Sequence, residues 1–219
     1  MLTTSVENLR DNFESKQTGM VLLEPVSWQT YQKLLSELGD HRTSRFAYDQ
    51  GYLEITMPLE LHETIKRLLE RIVDTLTEEL NLDVKSFGST TLNREDIERS
   101  AEPDSCFYIQ NADRIQGRKL DLEINPPPDL VIEVDLTSSS SRRLKIYSDL
   151  GVPEIWQYTK KGMTINRLDG EGKQYLVCEF SPTFSIVSAA VLDRLLAMAE
   201  TENDGAIIRS LRTWIREQV

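Results

Sequence analysis

Residues 126–158, PPPDLVIEVDLTSSSSRRLKIYSDLGVPEIWQY, decide the fold of this chain. After three prolines, the segment Asp129 to Asp135 has the apolar, β-branched composition of a buried strand. Side chains alternate across a strand, so Asp129, Glu133 and Asp135 share one face with Val131. The other face carries the apolar residues Leu130, Ile132 and Val134. Carboxylates on a buried strand are costly unless they are paired, and a divalent cation takes several oxygen ligands. The stretch therefore predicts a metal-dependent site.

A basic helix follows this strand. The serine tract 137–141 supplies capping residues, the helix is predicted over Arg142 to Leu150, and Gly151 ends it. A second strand is predicted over Glu154 to Tyr158. The order strand, helix, strand is typical of an α/β arrangement.

The rest of the chain predicts further strands and helices around this unit. Hydrophobic periodicity and turn residues predict helices at about 27–38, 59–81, 189–201 and 204–216. Strands are predicted at about 45–48, 52–56, 84–92, 106–109, 163–168 and 174–179. The expected fold is α/β and α+β-like, with a mixed β-sheet flanked by helices. Residues 1–20 are predicted to be a flexible lead-in, and 21–219 a single domain with a C-terminal helical pair at 189–216.

Composition narrows the function classes. The chain has 219 residues, a formal net charge of −11 and only two cysteines, Cys106 and Cys178. An acidic balance argues against a protein that coats nucleic acid, although it leaves room for an enzyme with a local basic groove. No apolar run approaches the roughly 18 residues that span a membrane, and the polar N-terminus is not a secretory signal. We therefore expect a cytoplasmic protein with reduced cysteines and no membrane partner.

Several short motifs together resemble a known family. They are Met57-Pro58 before His62, then Glu102-Pro103-Asp104, then the strand Pro128-Asp-Leu-Val-Ile-Glu-Val134, and finally Tyr147 with Gly151-Val-Pro-Glu-Ile-Trp156. This set resembles the Uma-type restriction endonuclease family, which is abundant in cyanobacteria and belongs to the PD-(D/E)xK nuclease superfamily. The resemblance covers residues 20–180 and implies a restriction-endonuclease-like fold with a Mg²⁺-dependent (or Mn²⁺-dependent) phosphodiesterase site.

The resemblance also implies roles for individual residues. Asp104 and Glu133 would hold the metal, and the main-chain carbonyl of Val134 would be a further ligand. Mg²⁺ commonly keeps several waters and takes only one or two carboxylates from protein. The superfamily lysine would fall two residues after Glu133, where this chain has Asp135, a candidate metal ligand or ion-pair partner.

The motif lysine therefore has two candidate replacements on the next helix, Arg143 and Lys145. Arginine is always charged and cannot act as a base, but it can bind a phosphate bidentately. Residues two apart on a helix face different directions, so only one of the two is expected to face the carboxylates.

Three further residues are candidate auxiliary groups. His62 and its neighbour Glu63 begin the long helix and could reach the metal site from there, or His62 could be a surface or capping residue. Asp129 follows a proline at the start of a strand, where a carboxylate commonly caps a turn.

Three functions are compatible with these residues. The first is a Mg²⁺-dependent endonuclease acting on DNA, for which a homodimer is a common assembly. The second is a catalytically degenerate nuclease fold that acts as a binding or regulatory module, favoured by Asp135, Arg143 and the acidic balance. The third is a metal-dependent hydrolase of a small phosphorylated molecule, which would need no extended basic groove.

Overall fold

The computed structural model describes residues 19–39, 43–57, 60–117, 120–136 and 141–219. Most of the predicted lead-in (1–18), the first residues of the predicted long helix (58–59) and most of the serine tract (137–140) lie outside these ranges. The strands in chain order are β1 (Met20–Leu23), β2 (Arg45–Asp49), β3 (Tyr52–Thr56), β4 (Lys85–Ser86), β5 (Leu92–Arg94), β6 (Arg99–Ala101), β7 (Ser105–Tyr108), β8 (Leu130–Asp135), β9 (Glu154–Thr159), β10 (Gly162–Leu168) and β11 (Tyr175–Cys178). The helices are α1 (Trp28–Leu38), α2 (Glu60–Glu79), α3 (Ser141–Leu150), α4 (Ala189–Met198) and α5 (Asp204–Gln218).

The strands form two sheets. The first sheet has the order β1-β3-β2-β6-β5 and is antiparallel throughout. The second has the order β11-β10-β9-β8-β7-β4 and is mixed, because β8 and β9 run parallel and are joined through α3. The predicted mixed sheet flanked by helices is confirmed, and the antiparallel sheet beside it was not anticipated.

Two strands of the antiparallel sheet, β1 and β6, were not predicted from the sequence. Each has four residues or fewer, so neither shows a usable hydrophobic period. They form by pairing with strands distant in the sequence, β1 with β3 and β6 with β2. Tertiary pairing, which local patterns do not encode, therefore created these elements.

Strand β8 is buried on both faces. Its apolar face, Leu130, Ile132 and Val134, belongs to the main core together with residues of α2 and α5. Its other face places Val131 against Ile146 and Tyr147 of α3. The C-terminal helical pair, α4 and α5, contributes to the same core and so packs within its own chain. Both cysteines are free thiols.

The start of helix α1 and the turn of the β2–β3 hairpin have the geometry that their residues favour. Helix α1 begins after Ser27, whose hydroxyl accepts a hydrogen bond from the Thr30 backbone N–H at 3.2 Å. The β2–β3 hairpin turns through Gln50 and Gly51, both of which have positive φ.

Within the described ranges, no helix has the length and apolar character needed to cross a membrane.

Candidate active site

Asp104 and Glu133 lie side by side between the two sheets. Ser105 of β7 pairs with Ile132 of β8 in antiparallel register. Asp104 directly precedes β7, and continuing this register by one residue sets it opposite Glu133; opposite residues of an antiparallel pair project from the same face. Both side chains are 1% exposed. The two carboxylates expected to act together are therefore neighbours in a buried position.

Asp104 is held by donors from three elements. Its Oδ2 lies 2.9 Å from Nε2 of His62 on α2 and accepts the backbone N–H of Val134 at 2.7 Å. Its Oδ1 lies 3.1 Å from Nε of Arg45 on β2, an ion pair without good hydrogen-bond alignment. The same guanidinium donates to Glu63 Oε1 at 3.2 Å and to the carbonyl of Pro103 at 3.3 Å.

These contacts keep Asp104 ionised. Burial alone would raise the pKa of Asp104, but the hydrogen bond and charge of His62, the charge of Arg45 and the Val134 N–H outweigh burial. The pKa of Asp104 therefore lies below its ordinary value. An ionised, buried carboxylate is a competent ligand for a cation.

Glu133 is held from one face of helix α3. Arg143 Nη1 donates to Oε2 of Glu133 at 3.1 Å, and the hydroxyl of Tyr147 donates to Oε1. Arg143 and Tyr147 are four residues apart, so they lie one above the other on the helix surface. This spacing explains why a single helix supplies both partners of the carboxylate.

Arg143 joins the two sheets. Besides contacting Glu133 on β8, it donates through Nε to Glu54 Oε1 at 2.9 Å and through Nη2 to Thr56 Oγ1 at 2.7 Å. Glu54 and Thr56 are alternate residues of β3 and share one face of that strand. The charges of Glu133 and Glu54 raise the pKa of Arg143 despite its burial.

Glu133 contrasts with Asp104 in its protonation. Burial raises the pKa of Glu133 to about 8, against the opposing charge of Arg143 and with further upward contributions from Asp104 and Asp135. Glu133 thus holds its proton near neutral pH, which a bound cation would displace.

The buried polar cluster consists of Asp104 and Glu133 with the side chains that contact them, namely His62, Arg45, Arg143 and Tyr147. Of the two candidates for the motif lysine, Arg143 belongs to this cluster. Lys145 points elsewhere: its side chain is 60% exposed and Nζ lies 3.0 Å from both carboxylate oxygens of Asp149. Asp149 in turn accepts a hydrogen bond from Arg99 of β6. The expectation that only one of these helix positions faces the carboxylates agrees with the contacts, and they favour Arg143.

The remaining predicted residues occupy distinct positions. Asp135 accepts a hydrogen bond from Gln157 Nε2 at 3.0 Å on the neighbouring strand. Asp129 accepts the backbone N–H groups of Ile109 and Asn111 at 2.7 and 3.0 Å, which holds the turn after β7. Asp129 therefore caps a turn, as a carboxylate after a proline commonly does.

Sequence reasoning missed Arg45, treated Glu54 only as a weaker candidate for the metal site, and treated Tyr147 only as part of the family motif. Tyr147 carried a signal, because it lies four residues after Arg143 on the same helix face. Arg45 and Glu54 lie on a hairpin far away in the sequence, and no spacing links them to Asp104 or Glu133. His62 and Glu63 do reach the cluster from α2, through Asp104 and Arg45.

The carboxylate pair can accommodate a small, hard cation. No three acidic, histidine or cysteine side chains in the described part of the chain form a complete metal cage. A Mg²⁺ ion needs only one or two carboxylates and fills its other positions with water. Asp104 Oδ1 is buried without a hydrogen bond, and the side chains of Arg143 and Tyr147 each donate one hydrogen bond to a different oxygen of Glu133, where a carboxylate oxygen can accept two. The donor set therefore fits such an ion.

Comparison with known proteins agrees with this fold and this motif. A crystal structure described as "a putative nuclease belonging to DUF820 from Anabaena variabilis ATCC 29413" is 14% identical, covering 78% of this chain and 98% of that one with a TM-score of 0.54. At that identity the likeness concerns the fold alone. The comparison with curated proteins found no match. The model of the Uma2 family, described as "Putative restriction endonuclease", matches residues 28–199, so the chain belongs to that family.

Proposed function

We propose that this chain is an endonuclease that hydrolyses DNA phosphodiester bonds with Mg²⁺ or Mn²⁺. The observation that carries the proposal is the adjacency of Asp104 and Glu133, the two motif carboxylates, inside one buried polar cluster. Family membership supports a nuclease, and the carboxylate pair supports the dependence on a cation.

Asp104 and Glu133 would hold the cation, with the Val134 carbonyl as a third protein ligand. When bound, a divalent cation polarises a phosphoryl oxygen and lowers the pKa of an attacking water. Asp104 is ionised already, whereas Glu133 would have to release its proton to solvent to become a charged ligand of the cation. Asp135 adds negative charge to the same region and is a weaker candidate ligand, because Gln157 already engages it.

The surrounding residues orient these two carboxylates. His62 and Arg45 fix Asp104, while Arg143 and Tyr147 fix Glu133. Arg143 is the basic group nearest to Glu133 among the described residues and takes the position proposed for the motif lysine. Lys145 has the weaker claim, since its ammonium is engaged with Asp149 on the surface.

Titration with Mn²⁺ by calorimetry, followed by incubation with supercoiled and single-stranded DNA, tests the proposal. We expect the parent to bind the ion and cut DNA, and Asp104→Asn and Glu133→Gln to lose both properties. Glu154→Gln is a matched control, because Glu154 is a buried glutamate on the adjacent strand with Trp156 and Ser181 as partners. Unchanged Mn²⁺ binding by the Asp104 and Glu133 variants would show that the ligands are wrong.

One observation favours a second candidate, a binding module without catalysis. Arg45 already pairs with Asp104, and Glu133 is held by Arg143 with its pKa raised to about 8, which reduces their need for a metal ion. A parent protein that binds DNA but neither Mn²⁺ nor Mg²⁺ would support this alternative.

A further inference from the structure

Two consecutive arginines at the start of α3 have different environments. Arg143 donates hydrogen bonds to Glu133, Glu54 and Thr56. The guanidinium of Arg142 lies over the ring of Tyr52, 4.2 Å from the ring centroid. Its Nη1 is buried and has no hydrogen-bond acceptor. One arginine is thus saturated with partners, and the other keeps unused donors.

Tyr52 places Arg142 beside the carboxylate cluster. Tyr52, Glu54 and Thr56 are alternate residues of β3, so their side chains line one face of that strand. Arg142 lies over the first of them and Arg143 contacts the other two. A group bound by Arg142 would therefore lie next to the residues that hold Glu133.

The chemistry of Arg142 fits a phosphate group. A guanidinium packed on an aromatic ring is held in position by cation–π attraction, while its planar edge keeps its N–H donors. A buried donor without an acceptor carries a free-energy penalty, which an incoming anion relieves. Phosphate oxygens match the fork of N–H groups bidentately. Because no hydrogen bond engages the buried Nη1, a rotation of the side chain would present this donor to such an anion without breaking a hydrogen bond of Nη1.

We infer that Arg142, held on the ring of Tyr52, binds a backbone phosphate of the nucleic acid next to the catalytic carboxylates. The inference rests on the proposed function, because it specifies how that function's substrate is bound. In an acidic chain whose arginines at positions 45, 71, 94, 99, 143, 212 and 216 are ion-paired, such a contact supplies positive charge where the backbone must approach.

Binding of a fluorescently labelled DNA duplex, measured by anisotropy in EDTA over a salt series, tests the inference without cleavage. Arg142→Gln should weaken binding about tenfold at low salt and reduce the slope of log K against log salt by about 0.9, the value for one phosphate contact. Arg94→Gln is the matched control, because it removes the same charge from a surface pair with Asp96. It should bind within about twofold of the parent.

Substitutions of Tyr52 separate ring packing from charge. Tyr52→Phe keeps the ring face and should bind as the parent does, whereas Tyr52→Ala should lie between the parent and Arg142→Gln. Thermal melting of each variant checks that it remains folded. Equal weakening by Arg142→Gln and Arg94→Gln would overturn the inference, as would a parent that binds no DNA.

The two hypotheses fail in different experiments. If Arg142→Gln binds DNA normally while the parent still binds Mn²⁺ and cuts, only the role of Arg142 is wrong. If the parent binds no Mn²⁺ and cuts no DNA but Arg142→Gln still lowers affinity selectively, catalysis is wrong and the phosphate contact stands.

Discussion

Asp104 and Glu133 are adjacent and equally buried, yet their pKa values are shifted in opposite directions. Asp104 is bound by His62, Arg45 and the backbone N–H of Val134, and the pKa of Asp104 lies below its ordinary value. For Glu133, burial outweighs the contacts with Arg143 and Tyr147, and with the added charges of Asp104 and Asp135 the pKa of Glu133 rises to about 8. The comparison teaches that the balance of donors and shared charges, not burial alone, decides whether an interior carboxylate is ionised.

Removing Arg143 should have the largest effect on stability. Arg143→Ala leaves the buried Glu54 carboxylate without its cation and Glu133 without a hydrogen-bond donor, and breaking such a buried pair costs about 3–5 kcal/mol. Arg143→Lys keeps the charge but not the three-way geometry, so it should fall between the parent and the alanine variant. Urea unfolding measures both. A loss no larger than that of Arg94→Ala, a surface control, would contradict the bridging role.

Neutralising the two carboxylates one at a time sharpens the comparison directly. Asp104→Asn removes the charge that compensates Arg45 and should cost about 3 kcal/mol. Glu133→Gln replaces a largely protonated acid by a neutral group of similar shape, so near pH 6 it should cost under about 1 kcal/mol. The same unfolding measurement serves for both. Equal losses would show that the two groups share one protonation state.

The pH dependence of stability tests the raised pKa of Glu133. An acid whose pKa rises on folding holds a proton that the unfolded chain releases, so stability falls as pH rises between about 5 and 8. Asp104, with a lowered pKa, contributes stability above its ordinary pKa and loses it only in acid, below this window. Glu133→Gln should flatten the decline in melting temperature, and Glu37→Gln, at an exposed position of α1, is the control. An identical slope in the parent and Glu133→Gln would refute the assignment.

Lys145 should give the smallest effect. Its exposed pair with Asp149 is worth about 0–1 kcal/mol, so Lys145→Ala should change the unfolding free energy by less than that. DNA cleavage by this variant should stay within about twofold of the parent, because the ammonium lies in a surface pair. A strong loss of turnover with unchanged Mn²⁺ affinity would instead return the role of the motif lysine to Lys145.

Strong local patterns in the sequence predicted most of the fold. The alternation of Leu130, Ile132 and Val134 identified the central strand, and helical periodicity located α2 and α5. The antiparallel sheet was missed because two of its strands, β1 and β6, are short and pair with the distant strands β3 and β2. The motif identified Asp104 and Glu133 as candidates, and the homodimer, the cytoplasmic location and the single-domain boundary stay predictions.

By itself, the sequence determined which residues lie on which face of each element, because a strand repeats every two residues and a helix every 3.6. It thereby determined that Glu133 faces away from the apolar side of β8, and that Arg143 and Tyr147 share a face of α3. Only the tertiary structure decided which charges meet. Arg45 and Glu54 come from a hairpin far from both motif carboxylates in the sequence; Arg45 helps to keep Asp104 ionised, and Glu54 shares Arg143 with Glu133. Charge pairing in a low-dielectric interior depends on distances of a few ångströms, which long-range packing sets and local spacing does not.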